Sequence, residues 1–305
     1  MIIVIDVRGA WLRRVEQILF LAFLLAVVAL GGTPSPAAQG LALVATIIAF
    51  VHGGRTYGWL GISLFLAICL TVTFAAENLS IATGFPFGHY HFEVAAELPH
   101  IGAVPIIVGL LYFTMGYFSW MIASVLLDDA DLHLDRPFNV TVLPIIAAFV
   151  VVQWDVVMDP RNATVYRAWI WHDGGGYFGV PISNYAGWYL TVWLFYQAFG
   201  LLIYFRPRLI RPRSHGSRLP PILIYLAVAL SNAVPYLVGY DGEVFDAAGH
   251  GWRTRDLHET TTVVMLFTMV FTSALALLRW AAPKGLQSPS GQPAGPTSTM
   301  PLSRD

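Results

Sequence analysis

The sequence predicts an all-α polytopic membrane protein, a bundle of about eight transmembrane helices with both termini cytoplasmic. Three observations carry this expectation. Of 305 residues, 56% are hydrophobic and only 11% are charged, with a mean hydropathy of +0.64; a soluble domain carries about 25% charged residues. The apolar residues fall into runs near the roughly 20 residues that a helix needs to cross a bilayer. When eight such runs are threaded through a membrane with the N-terminus inside, only Arg161, Arg167, Arg253 and Arg255 fall outside, which leaves 13 of 17 basic residues within. That is the bias of the positive-inside rule.

The runs, in order, are Glu16–Gly31, Ala37–Gly53, Trp59–Ala76, Ala103–Leu127, Asn139–Met158, Tyr185–Phe205, Leu219–Gly239 and Thr260–Trp280. The first has Asp6 and Glu16 in a long leading region, which fits an uncleaved span better than a removable signal. The second is short and open to a re-entrant reading, but omitting it leaves 7 of the 17 basic residues inside and erases the charge bias. Residues 1–283 are read as a single transmembrane domain. The Pro-, Ser- and Gly-rich residues 284–305 are read as a disordered cytoplasmic tail. The basic segment Arg206–Arg218 is read as an orientation signal meeting anionic headgroups.

Composition also excludes several classes. The net charge of -1 gives no footprint for nucleic acid, and one cysteine, Cys69, rules out a disulfide and multi-cysteine metal sites. No phosphate-binding loop, dinucleotide fingerprint or serine-hydrolase elbow is present. His89 and His91 form an isolated HxH pair without further histidine boxes, so no metal is expected.

The unusual residues gather in three loops on the outer side, Glu77–His100, Asp159–Trp188 and Tyr240–Glu259, which hold most of the histidines and a dense set of aromatics. Glu77 and Asn78 close the third span, Asp155 and Asp159 the fifth, and His258 with Glu259 opens the eighth. Asp155 and Asp159 are four residues apart and share one helix face. A carboxyl in hydrocarbon costs at least ~2.5 kcal/mol, which makes it a functional candidate; capping a helix end or pairing with an outer arginine is the alternative use. In an apolar cavity beside a second carboxyl, such a group holds its proton and can deliver it as a general acid. Aromatic faces attract cations, so Trp154, Trp169, Trp171, Tyr177, Phe178, Tyr185 and Trp188 are candidate walls, although Trp and Tyr also populate membrane interfaces. Trp169 and Trp171 alternate as on an extended segment, "HDGGGYFGVP" reads as a tight turn near other backbone, and "TGFPFGHY" as a rigid turn that brings Phe87 and Tyr90 toward the bundle.

Taken together, Glu77, "TGFPFGHYHF", "MDP", "WIW", "GGYFGVPISNYAGW" and the eighth helix resemble the membrane carotenoid biosynthesis proteins of the CruF type. These are carotenoid 1,2-hydratases, including bisanhydrobacterioruberin hydratase. The resemblance covers about Ala76–Trp280 and is most specific at Gly175–Trp188. The family more often has Tyr-Tyr-Gly and Asn-Phe where this chain has Tyr177-Phe178-Gly179 and Asn184-Tyr185. It departs further at Ile106–Trp120, which lacks an expected Trp-rich, Pro-containing continuation, and at the acidic Leu127–Asp135.

The resemblance implies addition of water across the terminal 1,2 double bond of a linear carotenoid, without a cofactor. The implied partner is a carotenoid or other polyprenyl lipid in the bilayer, and other enzymes of the pathway are candidate partners. The implied location is a prokaryotic cytoplasmic membrane. Residue chemistry, rather than the resemblance, suggests the roles. Asp155 or Asp159 would be the acid, Glu77 would orient or deprotonate water, and Asn184 would help hold it. The aromatics named above would shape the pocket. A cyclase that traps the same cation with an internal alkene, and a lipid transporter using acids as a proton relay, remain alternatives.

Overall fold

A computed structural model describes residues 7–94, 97–210 and 217–282; the expected tail lies outside them. The chain is mostly helical, in the order α1 (Val7–Leu30), α2 (Pro36–Thr83), α3 (Ile106–Leu126), α4 (Pro137–Pro160), α5 (Ile182–Phe205), α6 (Leu219–Ser231), α7 (Val234–Val238), α8 (Thr254–Met265) and α9 (Phe271–Ala281). Among the described residues, six helical stretches are long and apolar enough to cross a membrane: Pro36–Thr83, Ile106–Leu126, Pro137–Val165, Ile182–Phe205, Leu219–Val238 and Thr254–Ala281. They make this an integral membrane protein.

The longest stretch contains the second and third expected spans. Gly58 breaks it with φ 76° and ψ 160°, a conformation open to glycine and costly for any other residue. Phe50 and Phe65 both lie against Phe113, with ring centroids 6.3 and 6.0 Å away. In a straight helix they would stand about 22 Å apart, so the chain folds back on itself at Gly58. Close packing of the two halves depends on small residues: a Cβ on Gly53 would meet Ile62, and one on Gly54 would meet Trp59.

Helix α3 is apolar on every side and is the buried centre, packed against α2, α4, α6 and α9. Phe65, Trp120, Phe195, Tyr196 and Phe199 interlock at the middle of the bundle. At one end a buried polar knot ties loops to helices. Asp131 Oδ1 accepts from Arg218 Nη2 at 2.7 Å, and its Oδ2 accepts from Arg218 Nη1 at 3.1 Å and from Tyr57 at 2.6 Å. Burial alone would lower the Arg218 pKa, but Asp131 holds it above its ordinary value. Arg218 is therefore more than the orientation signal expected of Arg206–Arg218; residues 211–216 lie outside the described part.

At the opposite end two short strands, β1 (Tyr90–Phe92) and β4 (Trp169–Trp171), pair antiparallel, Tyr90 opposite Trp171 and Phe92 opposite Trp169. Two hairpins, β2–β3 (His100–Ile101 with Val104–Pro105) and β5–β6 (Glu243–Phe245 with Gly251–Arg253), complete the surface. Two boundaries differ from expectation. Helix α4 runs through Pro160 into a π-helical turn, Arg161–Val165, closed by the Tyr166 N–H donating to the Arg161 carbonyl at 2.9 Å. Asp159 therefore lies inside the helix, not at its end. Helix α8 begins at Thr254, so His258 and Glu259 sit a turn within it.

Nothing lies within 4 Å of a Cβ added at Gly58 or at helical Gly40, so the two differ in backbone conformation alone. Gly58→Val should lower stability by about 1–3 kcal/mol, while Gly40→Ala should be neutral or stabilising; thermal unfolding in detergent measures both.

Candidate functional site

The β-strand period places Tyr90, Phe92, Trp169 and Trp171 on one face of the β1–β4 ribbon, which closes over the ends of α2, α3, α4 and α5. The ribbon is seated by the turn before it. Ser80 Oγ donates to Gly88 O at 2.9 Å and accepts from Phe87 N, Ser183 Oγ donates to Phe87 O at 2.8 Å, and Gly187 lets the Pro86 backbone approach α5. Phe87 is thereby fully buried, the inward turn that the sequence suggested.

Beneath the ribbon lies a cavity of about 60 Å³, room for a few waters or a small branched alkene end. All three acids line it: Glu77 from α2, and Asp155 and Asp159 from α4. All are buried, with 4%, 1% and 1% exposure. Their donors come from other elements. Tyr90 and Tyr112 each donate to Glu77, the latter at 2.7 Å. Asn184 Nδ2 donates to Asp155 Oδ2 at 3.0 Å and to Asp159 Oδ2 at 2.6 Å. Trp169 Nε1 donates to Asp159 Oδ1 at 2.6 Å. Among the described residues, no arginine, lysine or histidine pairs with any of the three, so helix capping and pairing with the outer arginines do not account for them.

Trp154, Trp169, Trp171, Trp188, Phe87 and Tyr90 supply aromatic walls, and Asn184 sits among them. The buried Trp171 indole N–H lies beside the Asp159 carboxyl without a well-formed hydrogen bond to it. Tyr177, Phe178 and Tyr185 are not part of this wall. They form an adjoining cluster, Tyr177 5.4 Å from Phe178 and 5.9 Å from Tyr185, with Phe178 on Trp252 at 5.2 Å. Burial, and then the nearby Asp159, push the Tyr177 phenol up to about 12, so it stays a neutral donor. The cluster belongs to the expected tight turn. Gly175 lies so close to Val180 that a Cβ would be 2.1 Å from its carbonyl carbon, Gly179 has φ 87°, and Phe178 itself is left-handed at φ 52°.

The sequence reading missed Tyr112. It stacks on Trp188 with centroids 3.9 Å apart and planes 5° from parallel, while holding Glu77. The available signal was a phenol in an apolar run, and Tyr117 in the same run carried it equally. Leu111, Val108, Phe92 and Met158 complete the lining.

A sequence model of carotenoid biosynthesis proteins matches residues 37–251. The chain belongs to the carotenoid biosynthesis protein family. It is 27% identical over 125 residues to the bisanhydrobacterioruberin hydratase of Haloarcula japonica, a match covering 41% of this chain and 40% of that protein. The similarity therefore spans about two fifths of the curated relative's length. No solved structure matches. Membership of this family places the chain among the proteins of carotenoid biosynthesis.

Removing either phenol strips a buried carboxyl of a donor. Tyr90→Phe and Tyr112→Phe should each cost about 1–3 kcal/mol, and the double variant should depart from additivity because both act on Glu77. Denaturation of the purified single and double variants tests this.

Proposed function

We propose that this protein is a carotenoid hydratase that adds water across the terminal double bond of a linear carotenoid end. The observation that carries the proposal is three buried carboxyls without a cationic partner among the described residues, gathered in one aromatic-walled cavity. Asp155 and Asp159, bridged by the Asn184 amide, share one proton, and one of them delivers it to C2 of the alkene. The electron pair of the double bond forms the new C–H bond and leaves a tertiary cation at C1. The faces of Trp154, Trp171 and Trp188 stabilise that charge. Water attacks C1, and Glu77, oriented by Tyr90 and Tyr112, takes the proton that water loses; the product is a tertiary alcohol. Positioning and proton transfer together suit groups held in fixed geometry and screened from bulk water.

The membrane placement belongs to the same proposal: eight spans in a prokaryotic cytoplasmic membrane, termini inside, one domain to residue 283, and the acid cavity facing out. The fold-back at Gly58 and the 13 of 17 basic residues assigned to the inner side support it. Cys69 is fully buried, so a background free of thiol labelling is expected. A cysteine at exposed Asp173 should then react with a membrane-impermeant maleimide in intact cells, and one at exposed His133 should react only after lysis.

Expression in a lycopene-producing host should yield pigments heavier by the mass of one or two waters. A new pigment of unchanged mass would instead indicate cyclisation, and no new pigment would reject the assignment. Asp155→Asn, Asp159→Asn and Glu77→Gln should each lower conversion by about 100-fold or more, the scale of acid–base catalysis, while the protein still inserts. Full activity in all three would refute the roles.

A further inference from the structure

A second cavity, about 520 Å³, opens beside the acid chamber and shares Leu111, Trp154, Met158 and Trp169 with it. It lies where α1 ends, α2 begins and α4 and α6 terminate, under the loop Gly31–Pro34. Its unusual feature is Arg161, 5% exposed, whose Nε has no hydrogen-bond partner. Among the described residues no carboxylate pairs with this guanidinium; the Tyr166 ring lies 5.8 Å from Cζ, Gly32 lies beside Nη1, and buried His258 is close enough to feel its charge. Asn232, across the cleft, leaves Oδ1 without a partner too. The guanidinium Nε is left unfilled, and an unpaired buried charge is costly.

The rest of the cleft is amphiphilic in a directional way. Ala38 and Ala42 on α2, and Ile107 and Leu111 on α3, are i, i+4 pairs that descend from the loop toward the bundle interior. Exposed Arg167 stands at the rim with Glu93, which is engaged by His91 at 3.0 Å. A phosphate is the anion that a membrane offers at the depth of such a loop, and a guanidinium binds it with charge-assisted hydrogen bonds. We propose that this cleft holds a phospholipid, its phosphate on Arg161 and one acyl chain along Ala38, Ala42, Ile107 and Leu111. Such a lipid would form part of the wall that separates the acid chamber from the bilayer. The proposal stands apart from the hydration reaction.

The test uses the full chain, purified in dodecyl maltoside and stripped of lipid, then titrated with phosphatidylglycerol. Native mass spectrometry should find one lipid retained by the wild type. Arg161→Gln should lower retention by about tenfold or more, and Arg161→Lys by less. Inorganic phosphate alone should not raise the melting temperature, because the chain contributes to binding; an equal rise would overturn the proposal in favour of a free-anion site. If Arg161→Gln fails to fold, Ala42→Trp fills the acyl track with the guanidinium intact and should abolish retention. Undiminished retention in Arg161→Gln or in Ala42→Trp would overturn the proposal.

Discussion

A carboxyl group in an apolar bundle must be met by donors, and that requirement organises one end of this protein. Glu77, Asp155 and Asp159 are each nearly inaccessible, and a group so placed without partners costs several kcal/mol. The donors are Tyr90, Tyr112, Trp169 and Asn184, drawn from β1, α3, β4 and α5. No single helix can satisfy its own acid. The cavity therefore exists only when four helices and the ribbon are assembled, and the same bonds that stabilise the assembly aim the carboxyl oxygens inward. Between helices in lipid, packing and such bonds replace the hydrophobic drive that assembles soluble proteins.

The opposite end of the bundle holds another buried acid, differently partnered. Asp131 is fully buried, yet Arg218 grips both its oxygens, and Tyr57 and Ser124 donate as well. Its charge is balanced and its lone pairs are occupied. Among the described residues, Glu77, Asp155 and Asp159 receive neutral donors alone. An acid locked by a cation and acids held by neutral donors thus stand in one molecule at comparable burial.

Much of this was legible in the sequence, because the signals were of the kind that local pattern carries. The apolar runs gave the helices, the i, i+4 spacing put Asp155 and Asp159 on one face, and the alternation of Trp169 and Trp171 gave an extended strand. Tyr112 and Arg218 were not legible, each for its own physical reason. Helix α3 is apolar on all sides, so its periodicity does not say which face meets Glu77. The partner of Arg218 lies 87 positions away, a separation that no local rule spans. Pro160 does not end the helix as a proline does by default; the chain continues into the π-helical turn beyond it, and Asp159 stays within.

The most distinctive stretch, Gly175–Trp188, has its effect at one remove from the chamber. Its aromatics Tyr177, Phe178 and Tyr185 pack beside the acids rather than around the cavity, and its glycines permit a turn no bulkier residue could follow. Thr164 donates to the Phe178 carbonyl, which ties that turn to the π-helical extension of α4. Pro181 then starts α5, and Asn184 reaches back from its first turn to both aspartates. The turn thus fixes the distance between the start of α5 and the end of α4. That distance decides whether one amide can bridge two carboxyls. Asn184 and Trp188 of this stretch line the cavity itself, and the turn before them acts on its geometry.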